Sequence, residues 1–526
     1  MTDADEPDHA AAPTAAAMTR VVRRPRVLAG IALVAVLAVA AGLVCARGGG
    51  GASAPPDDAA RLVPDGALAY VHLSTDPGRA ADGRFAQLAG ALPTLTRLRD
   101  QIVAAISPQA FDLQRDVRPW LGGELAYAAV SPADSLVLAE VADRPRAEAL
   151  VARIGNLSGA EQYRGVRLLV AGPTALAFVG DFLAVGTEAA VRAAVDRDQG
   201  EGKRLADVAA YQHAADGAPA NRSLVAYASA AGVREVLAPR DGLLGALGTL
   251  LARPGLVAAG AAVTAEEGGL RAHVRVAGGA PRDAAFEPVL LERVPEGAAA
   301  YLGVRGALRL ARLLERLGAG SALASVRAVL SKDAGIDLDR DLLAPLSGEI
   351  ALAVTGPTGG GAPVVTLKAR TADPRRTESS LARLQEPLAQ RLALPGTVPG
   401  FEPEAFGGLE GYTLRVTPEL APSYAVSGDG VVASTAPAGL APPRGTLAAA
   451  RAFEATVGSV PAQAETLGFL DLRQLLALGE QTGLTAIPSV ATARDDLSQV
   501  RAVGVVVTQD PAHPTDTNAE LFLQIP

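Results

Sequence analysis

The sequence predicts an α+β fold: two homologous units of mainly antiparallel sheet with packed helices, following an N-terminal transmembrane helix. Three observations carry this. One block of about 230 residues recurs in order, apolar runs alternate in pairs across turn residues, and one uncharged run near the start is as long as a bilayer is thick.

That run is VLAGIALVAVLAVAAGLVCA, residues 27–46. At 1.5 Å per residue, twenty residues span about 30 Å, the hydrocarbon thickness of a membrane. Arg20, Arg23, Arg24 and Arg26 precede it and only Arg47 follows closely, which places residues 1–26 in the cytoplasm and the bulk of the chain outside. The expectation is a single-pass cell-membrane protein whose partner is the lipid bilayer. Two other readings of the same run are a signal-peptidase site around Val44-Cys45-Ala46 and lipidation of Cys45, although Val44 fits the lipidation step poorly. Residues 47–60, RGGGGASAPPDDAA, read as a flexible tether.

The repeat then sets the units, 61–280 and 281–526. Leu62-Val-Pro-Asp-Gly-Ala-Leu-Ala-Tyr70 returns as Arg293-Val-Pro-Glu-Gly-Ala-Ala-Ala-Tyr301. Phe111-Asp-Leu-Gln-Arg-Asp-Val117 returns as Ile336-Asp-Leu-Asp-Arg-Asp-Leu342, and Leu121-Gly-Gly-Glu-Leu-Ala as Leu346-Ser-Gly-Glu-Ile-Ala. The Val179–Thr187 and Val426–Ser434 stretches match, as do Leu224-Val-Ala-Tyr227 and Leu467-Gly-Phe-Leu470.

Each unit reads in the same order. A strand follows the Pro-Asp/Glu-Gly turn. Next comes a helix with apolar residues at helical spacing, over 85–106 in the first copy and within LRLARLLERLG in the second. A hairpin follows (ELAYAAV–SPAD–SLVLAEV; EIALAVT–GPTGGGA–PVVTLKA), then a helix near 144–154 or 376–392. A strand pair around 165–187 or 411–434, two short helices, a strand and a last hairpin complete it. Hairpins separated by helices imply antiparallel sheet with helices on one face. Whether the units make two globules or one continuous sheet stays open at this level.

These features together resemble the bacterial "domain of unknown function 3352" family. The resembling parts are the anchor, the Val-Pro-Asp-Gly-Ala-Leu-Ala-Tyr-Val opening at 63–71, the Leu-Gly-Gly-Glu strand start at 121–124 and the Val-Gly-Asp-Phe-Leu-Ala-Val-Gly-Thr hairpin at 179–187. The resemblance implies the topology and the location. It supplies no activity, cofactor or site residue.

The chemistry available is narrow. A net charge of −8 over 526 residues argues against nucleic acid as a partner, because phosphate binding needs clustered Lys and Arg. Asp3, Asp5, Glu6 and Asp8 balance the four arginines of the tail, so the whole −8 lies beyond it. A single cysteine, Cys45, excludes intrachain disulfides and thiolate metal sites, and five histidines scattered at 9, 72, 213, 273 and 513 give little material for an imidazole site. No motif for a cofactor, metal or nucleophile is present.

The repeated carboxylates are the site candidates: Glu124 and Glu349, Asp181 and Asp429. One carboxylate per copy suggests a paired acid–base site, but Asp181 and Asp429 lack the Asp-Thr/Ser-Gly context of aspartic proteases and read as hairpin turns. Asp112, Asp116, Asp337 and Asp341 read as turn caps with Arg115 and Arg340 as local ion-pair partners. The glycine-rich 356–363 loop leads into a strand and so is no phosphate cradle. His72 reads as a lone strand histidine and Trp120 as a core anchor. The leading functional reading is a non-enzymatic binding or scaffold module for a lipid, a polymer or another envelope protein. A hydrolase with a site between the copies and a purely structural envelope protein are the alternatives.

Overall fold

The computed structural model describes residues 53–90, 113–153, 159–238, 251–279, 285–315, 320–357, 362–394, 400–417, 420–428, 430–482 and 498–525. The expected transmembrane helix, residues 91–106 of the expected 85–106 helix, Asp112 and Asp429 lie outside these residues. Among the described residues no helix is long and apolar enough to cross a membrane.

Twenty strands form the core. The first half supplies β1 (Ala69–Ser74), β2 (Leu121–Ala129), β3 (Ser135–Val141), β4 (Gly159–Tyr163), β5 (Val166–Ala171), β6 (Thr174–Val179), β7 (Phe182–Thr187), β8 (Leu224–Ser229), β9 (Leu256–Glu266) and β10 (Gly269–Gly278). The second supplies β11 (Ala298–Arg305), β12 (Glu349–Thr355), β13 (Val364–Arg370), β14 (Phe401–Phe406), β15 (Leu409–Leu414), β16 (Ser423–Ser427), β17 (Gly430–Ser434), β18 (Thr466–Asp471), β19 (Ala502–Gln509) and β20 (Thr517–Gln524).

Every pairing is antiparallel. The first half pairs in the order β4-β5-β6-β7-β3-β2-β1-β8-β9-β10. The second repeats it strand for strand as β14-β15-β16-β17-β13-β12-β11-β18-β19-β20. The last strand of each half then pairs with the other, from Gly269 opposite Gln524 to Val276 opposite Thr517. The two halves therefore make one continuous sheet, related by a pseudo-twofold axis through the β10–β20 seam.

Helices cover both faces, not the single face expected from the hairpins. In the first half, α1 (Ala80–Gly90) and α2 (Arg144–Arg153) pack through Phe85, Leu150 and Val151 against Val71, Leu73 and Tyr127. On the opposite face, α3 (Glu188–Asp198) and α4 (Ala209–Ala215) pack through Val191, Val195 and Tyr211 against Tyr70, Ala128 and Leu138. The cause is visible in the central strands. All six residues of β1 are buried, including Tyr70 and Val71 on opposite faces, and such a strand needs cover twice. The second half repeats the layers, with α5 (Ala307–Leu314) on one face and α8 (Arg451–Val457) on the other. Between them in sequence lie α6 (Gly320–Ala334) and α7 (Pro374–Leu392), and α9 (Leu472–Thr482) follows.

Near the seam, close approach depends on glycine. A Cβ at Gly260 of β9 would sit 2.2 Å from the Ala214 oxygen of α4, and one at Gly504 of β19 would sit 2.7 Å from the Thr456 oxygen of α8. Only glycine leaves room for these helix ends.

Candidate functional site

Glu124 is the fourth residue of β2 and Glu349 the first of β12, the second strand of each half, and both are buried. Glu124 accepts from the N–H groups of Asp58 (3.3 Å) and Ala59 (3.2 Å), where the 3-10 helix Ala59–Arg61 starts. Glu349 accepts from the Leu290 N–H with both oxygens (3.0 and 2.9 Å), at the start of Val289–Arg293. Each carboxylate thus ties the segment before the Pro-Asp/Glu-Gly turn to the sheet by satisfying orphan helix donors.

The halves differ in what surrounds that carboxylate. His72 Nε2 lies 3.4 Å from Glu124 Oε2. Burial pulls the Glu124 carboxyl up, but His72 and the two N–H groups outweigh it and hold the group below the ordinary value. In the second half Gly303 stands at the same register, opposite Ala351 as His72 is opposite Ala126. Burial then dominates, and Glu349 is pushed up to about 7.

A polar network surrounds Glu124. Asp57 accepts from the Tyr70 hydroxyl (2.5 Å) and from the Tyr211 hydroxyl, and the rings of Tyr211 and Tyr227 meet edge to face at 5.4 Å. Asp57, His72 and Glu124 place one oxygen or nitrogen each within 4.8 Å of one another. In the second half, Phe453 is the third residue of α8 as Tyr211 is of α4, and Phe469 pairs with Tyr301 as Tyr227 pairs with Tyr70. The second copy is the apolar version of the same place. The network fastens the incoming chain: of the tether expected over 47–60, Pro55 is buried and Ala59 and Ala60 lie in the core.

Glu124 and Asp181 line one recess of about 340 Å³ with Asp58, Glu140, Asp198, Arg61, Arg197 and Arg204. Five carboxylates face three guanidinium groups there. Glu140 is engaged by the Gly123 N–H (2.6 Å), Asp58 by Arg61 (3.1 Å), and the Asp181 carbonyl by the Val141 N–H (2.8 Å). Asp181 sits on the β6–β7 turn, where Gly180 adopts a φ of 53°. Glu124 and Glu349 do not meet. Eight strands separate β2 from β12, so nine spacings of ~4.8 Å put them about 40 Å apart along the sheet. The paired-carboxylate arrangement is not assembled from them.

The second Asp-Leu-x-Arg-Asp segment acts as read from the sequence. Asp337 accepts from the Arg340 N–H (2.9 Å), and Arg340 grips Asp341 with two bonds of 2.9 and 3.0 Å, which lowers that carboxyl to about 2. In the first half Arg153 reaches Asp116 at 3.0 Å. Trp120 is buried and donates to the Asp116 carbonyl at 2.8 Å. The glycine-rich loop joins the paired ends of β12 and β13, Thr355 opposite Val364.

One feature had no sequence signal. A groove of about 730 Å³ runs between α2 and the β4–β5–β6 arm. Val151, Val166, Leu169, Leu176, Phe178 and Leu183 form its apolar wall, and Arg144, Glu148 and Arg167 contribute its polar groups. Arg144 lies over the Phe178 ring at 3.8 Å and bonds Glu148 at 2.9 Å. Leu169 pairs with Leu176 across the strands, and the corresponding pair in the second half is Tyr412 with Tyr424. Those tyrosines stack at 5.4 Å, Phe401 meets Tyr424 at 5.9 Å, and Gln385 of α7 bonds the Tyr424 hydroxyl at 2.6 Å. Larger side chains and a longer helix occupy the second copy of the groove.

No curated relative matches the chain. Two solved structures, crystal forms I and III of TP0453, are similar at 12% and 10% identity. They cover 43% and 41% of this chain and 81% and 78% of their own, with TM-scores of 0.28 and 0.27, too low to bear on fold or role. The model of the family described as "Protein of unknown function (DUF3352)" matches residues 27–525, nearly the whole chain. The protein belongs to the DUF3352 family.

Proposed function

We propose that the chain is a membrane-anchored extracytoplasmic binding module, built by duplication, that takes an acyl-chain amphiphile with an anionic head into the groove of its first half. The observation that carries this reading is the difference between the copies. The same place on the same scaffold is open and apolar where Leu169 and Leu176 stand, and is occupied by stacked rings where Tyr412 and Tyr424 stand. A volume of about 730 Å³ suits a ligand of drug or single-chain lipid size. Arg144 and Arg167 give the groove its cationic groups, and an anionic headgroup would complement them.

The anchoring part rests on the uncharged run 27–46 with its arginine flank, and on a family match that begins at residue 27. Topology would be checked with reporter fusions before residue 27 and after residue 526. Activity of an extracytoplasmic reporter at the N-terminal fusion would refute the orientation.

Ligand capture is tested by mass spectrometry of amphiphiles that co-purify with the full-length protein. The wild type is expected to carry acyl-chain species, and the Leu169→Tyr/Leu176→Tyr double variant, which transplants the second half's residues, is expected to lose them. Equal recovery from both, or none from the wild type, would refute the reading.

A further inference from the structure

The seam brings together residues that the sequence holds 300 positions apart. His213 lies on α4 in the first half. His513 and Asp516 lie in the turn between β19 and β20 in the second. Their donor atoms all fall within 4.8 Å of one another. His213 Nε2 is 2.5 Å from Asp516 Oδ2, and the two imidazole rings meet edge to face at 4.9 Å.

The surroundings orient each group. Asp516 is buried, and its Oδ1 accepts from the Gly278 N–H (2.9 Å) and the Thr515 hydroxyl (3.2 Å), leaving Oδ2 turned toward His213. His213 Nδ1 faces Asp216 at 3.8 Å, and His513 Nδ1 faces Asp510 at 3.7 Å. Asp510 is itself held by the Ala512 N–H (2.9 Å) and by Arg275 (3.4 Å). A histidine with a carboxylate behind its Nδ1 presents Nε2 outward, which is the arrangement that fixes metal-binding imidazoles.

We propose that His213, His513 and Asp516 form a divalent transition-metal site, of the kind that takes Zn²⁺, which clamps the two halves of the sheet across their seam. Two imidazoles and a carboxylate are three of the four ligands of a tetrahedral zinc, and water takes the fourth position. Tetrahedral ligands stand roughly 3.3 Å apart at ordinary Zn–N and Zn–O lengths, so the His213–Asp516 contact opens by less than an ångström on binding. The His513 side chain is 55% exposed, so metal has access and the ring has room to swing. The ligands come from both halves, so the ion adds a cross-link to the β10–β20 pairing.

The test uses the full-length protein in detergent. Calorimetric titration with ZnCl₂ should give one site per chain, and Co²⁺ should give the visible absorption of a tetrahedral complex. His513→Gln, at an exposed position, and His213→Gln should each weaken Zn²⁺ binding by tenfold or more. Asp510→Asn should weaken it less, and His273→Gln should leave it unchanged. Far-UV circular dichroism and metal-free melting of His513→Gln should match the wild type. Absence of saturable binding in the wild type, or binding that His513→Gln leaves within twofold, would overturn the proposal.

Discussion

At the scale of the residue, Glu124 and Glu349 show how one substitution changes a group's chemistry without moving it. The first has His72 at 3.4 Å and sits below the ordinary carboxylate value, and the second has Gly303 at that register and is raised from 4.5 to about 7. A raised carboxyl means that the folded state holds its proton more tightly than the unfolded state does. The cost of ionising Glu349 is therefore absent below pH 4.5, grows from there to pH 7, and is constant above. A shift of that size corresponds to about 3 kcal/mol. Glu349→Gln is expected to remove that slope, so urea unfolding of variant and wild type at pH 4, 5.5, 7 and 8 should show the variant gaining relative stability through this window. A parallel pair of curves would contradict the assignment. The candidacy of Glu124 and Glu349 was legible because the residues recur in the repeat. Their role as acceptors for helix N–H groups was not, because it depends on partners some 60 positions earlier.

At the scale of the element, the hairpins β2–β3 and β9–β10 followed from alternation and turn residues, and the helices Arg144–Arg153 and Pro374–Leu392 from their spacing. The stretches around 165–187 and 411–434 hold more strands than expected. β4 reads GAEQY and β14 reads FEPEAF, both largely exposed, so neither gives an apolar alternation to detect. They are the two ends of the sheet, where charge and Pro403 suit an edge that must resist further pairing. The cover on both faces was also missed. β1 is apolar at successive positions, a pattern shared with buried helix, whereas one-sided sheets alternate. Packing at the seam gives a direct test. Gly260→Ala places a Cβ 2.2 Å from the Ala214 oxygen, and α4 must shift. A loss of 1–3 kcal/mol is expected in urea unfolding, typical of overpacking. An unchanged midpoint would show that α4 does not approach the sheet so closely.

At the scale of the whole molecule, duplication explains the economy of the fold. One ten-strand arrangement is used twice and joined through its own last strand, with no disulfide among the described residues to help. The internal repeat announced the two copies in sequence. The joint itself was not legible, because β10 and β20 resemble any other half-buried strand. With Cys45→Ser as background, Val274→Cys/Ala519→Cys introduces thiols at directly paired positions. Oxidation should close a disulfide within the chain, seen as a faster-migrating band that reductant reverses. Failure to close would argue for two separate globules. The asymmetry between the copies is the other whole-molecule feature. The first keeps the Asp57 network and the open groove, and the second replaces both with aromatic packing.

That asymmetry is tested most directly by photo-crosslinking. Full-length protein in bilayers is given a fatty acid bearing a diazirine on its chain, irradiated, digested and sequenced by mass spectrometry. The account predicts adducts on the groove wall, within Val151, Val166–Leu169 and Leu176–Leu183, and none on the matching Leu409–Ser427 stretch of the second half. Label spread equally over both halves, or confined to residues 27–46, would contradict it.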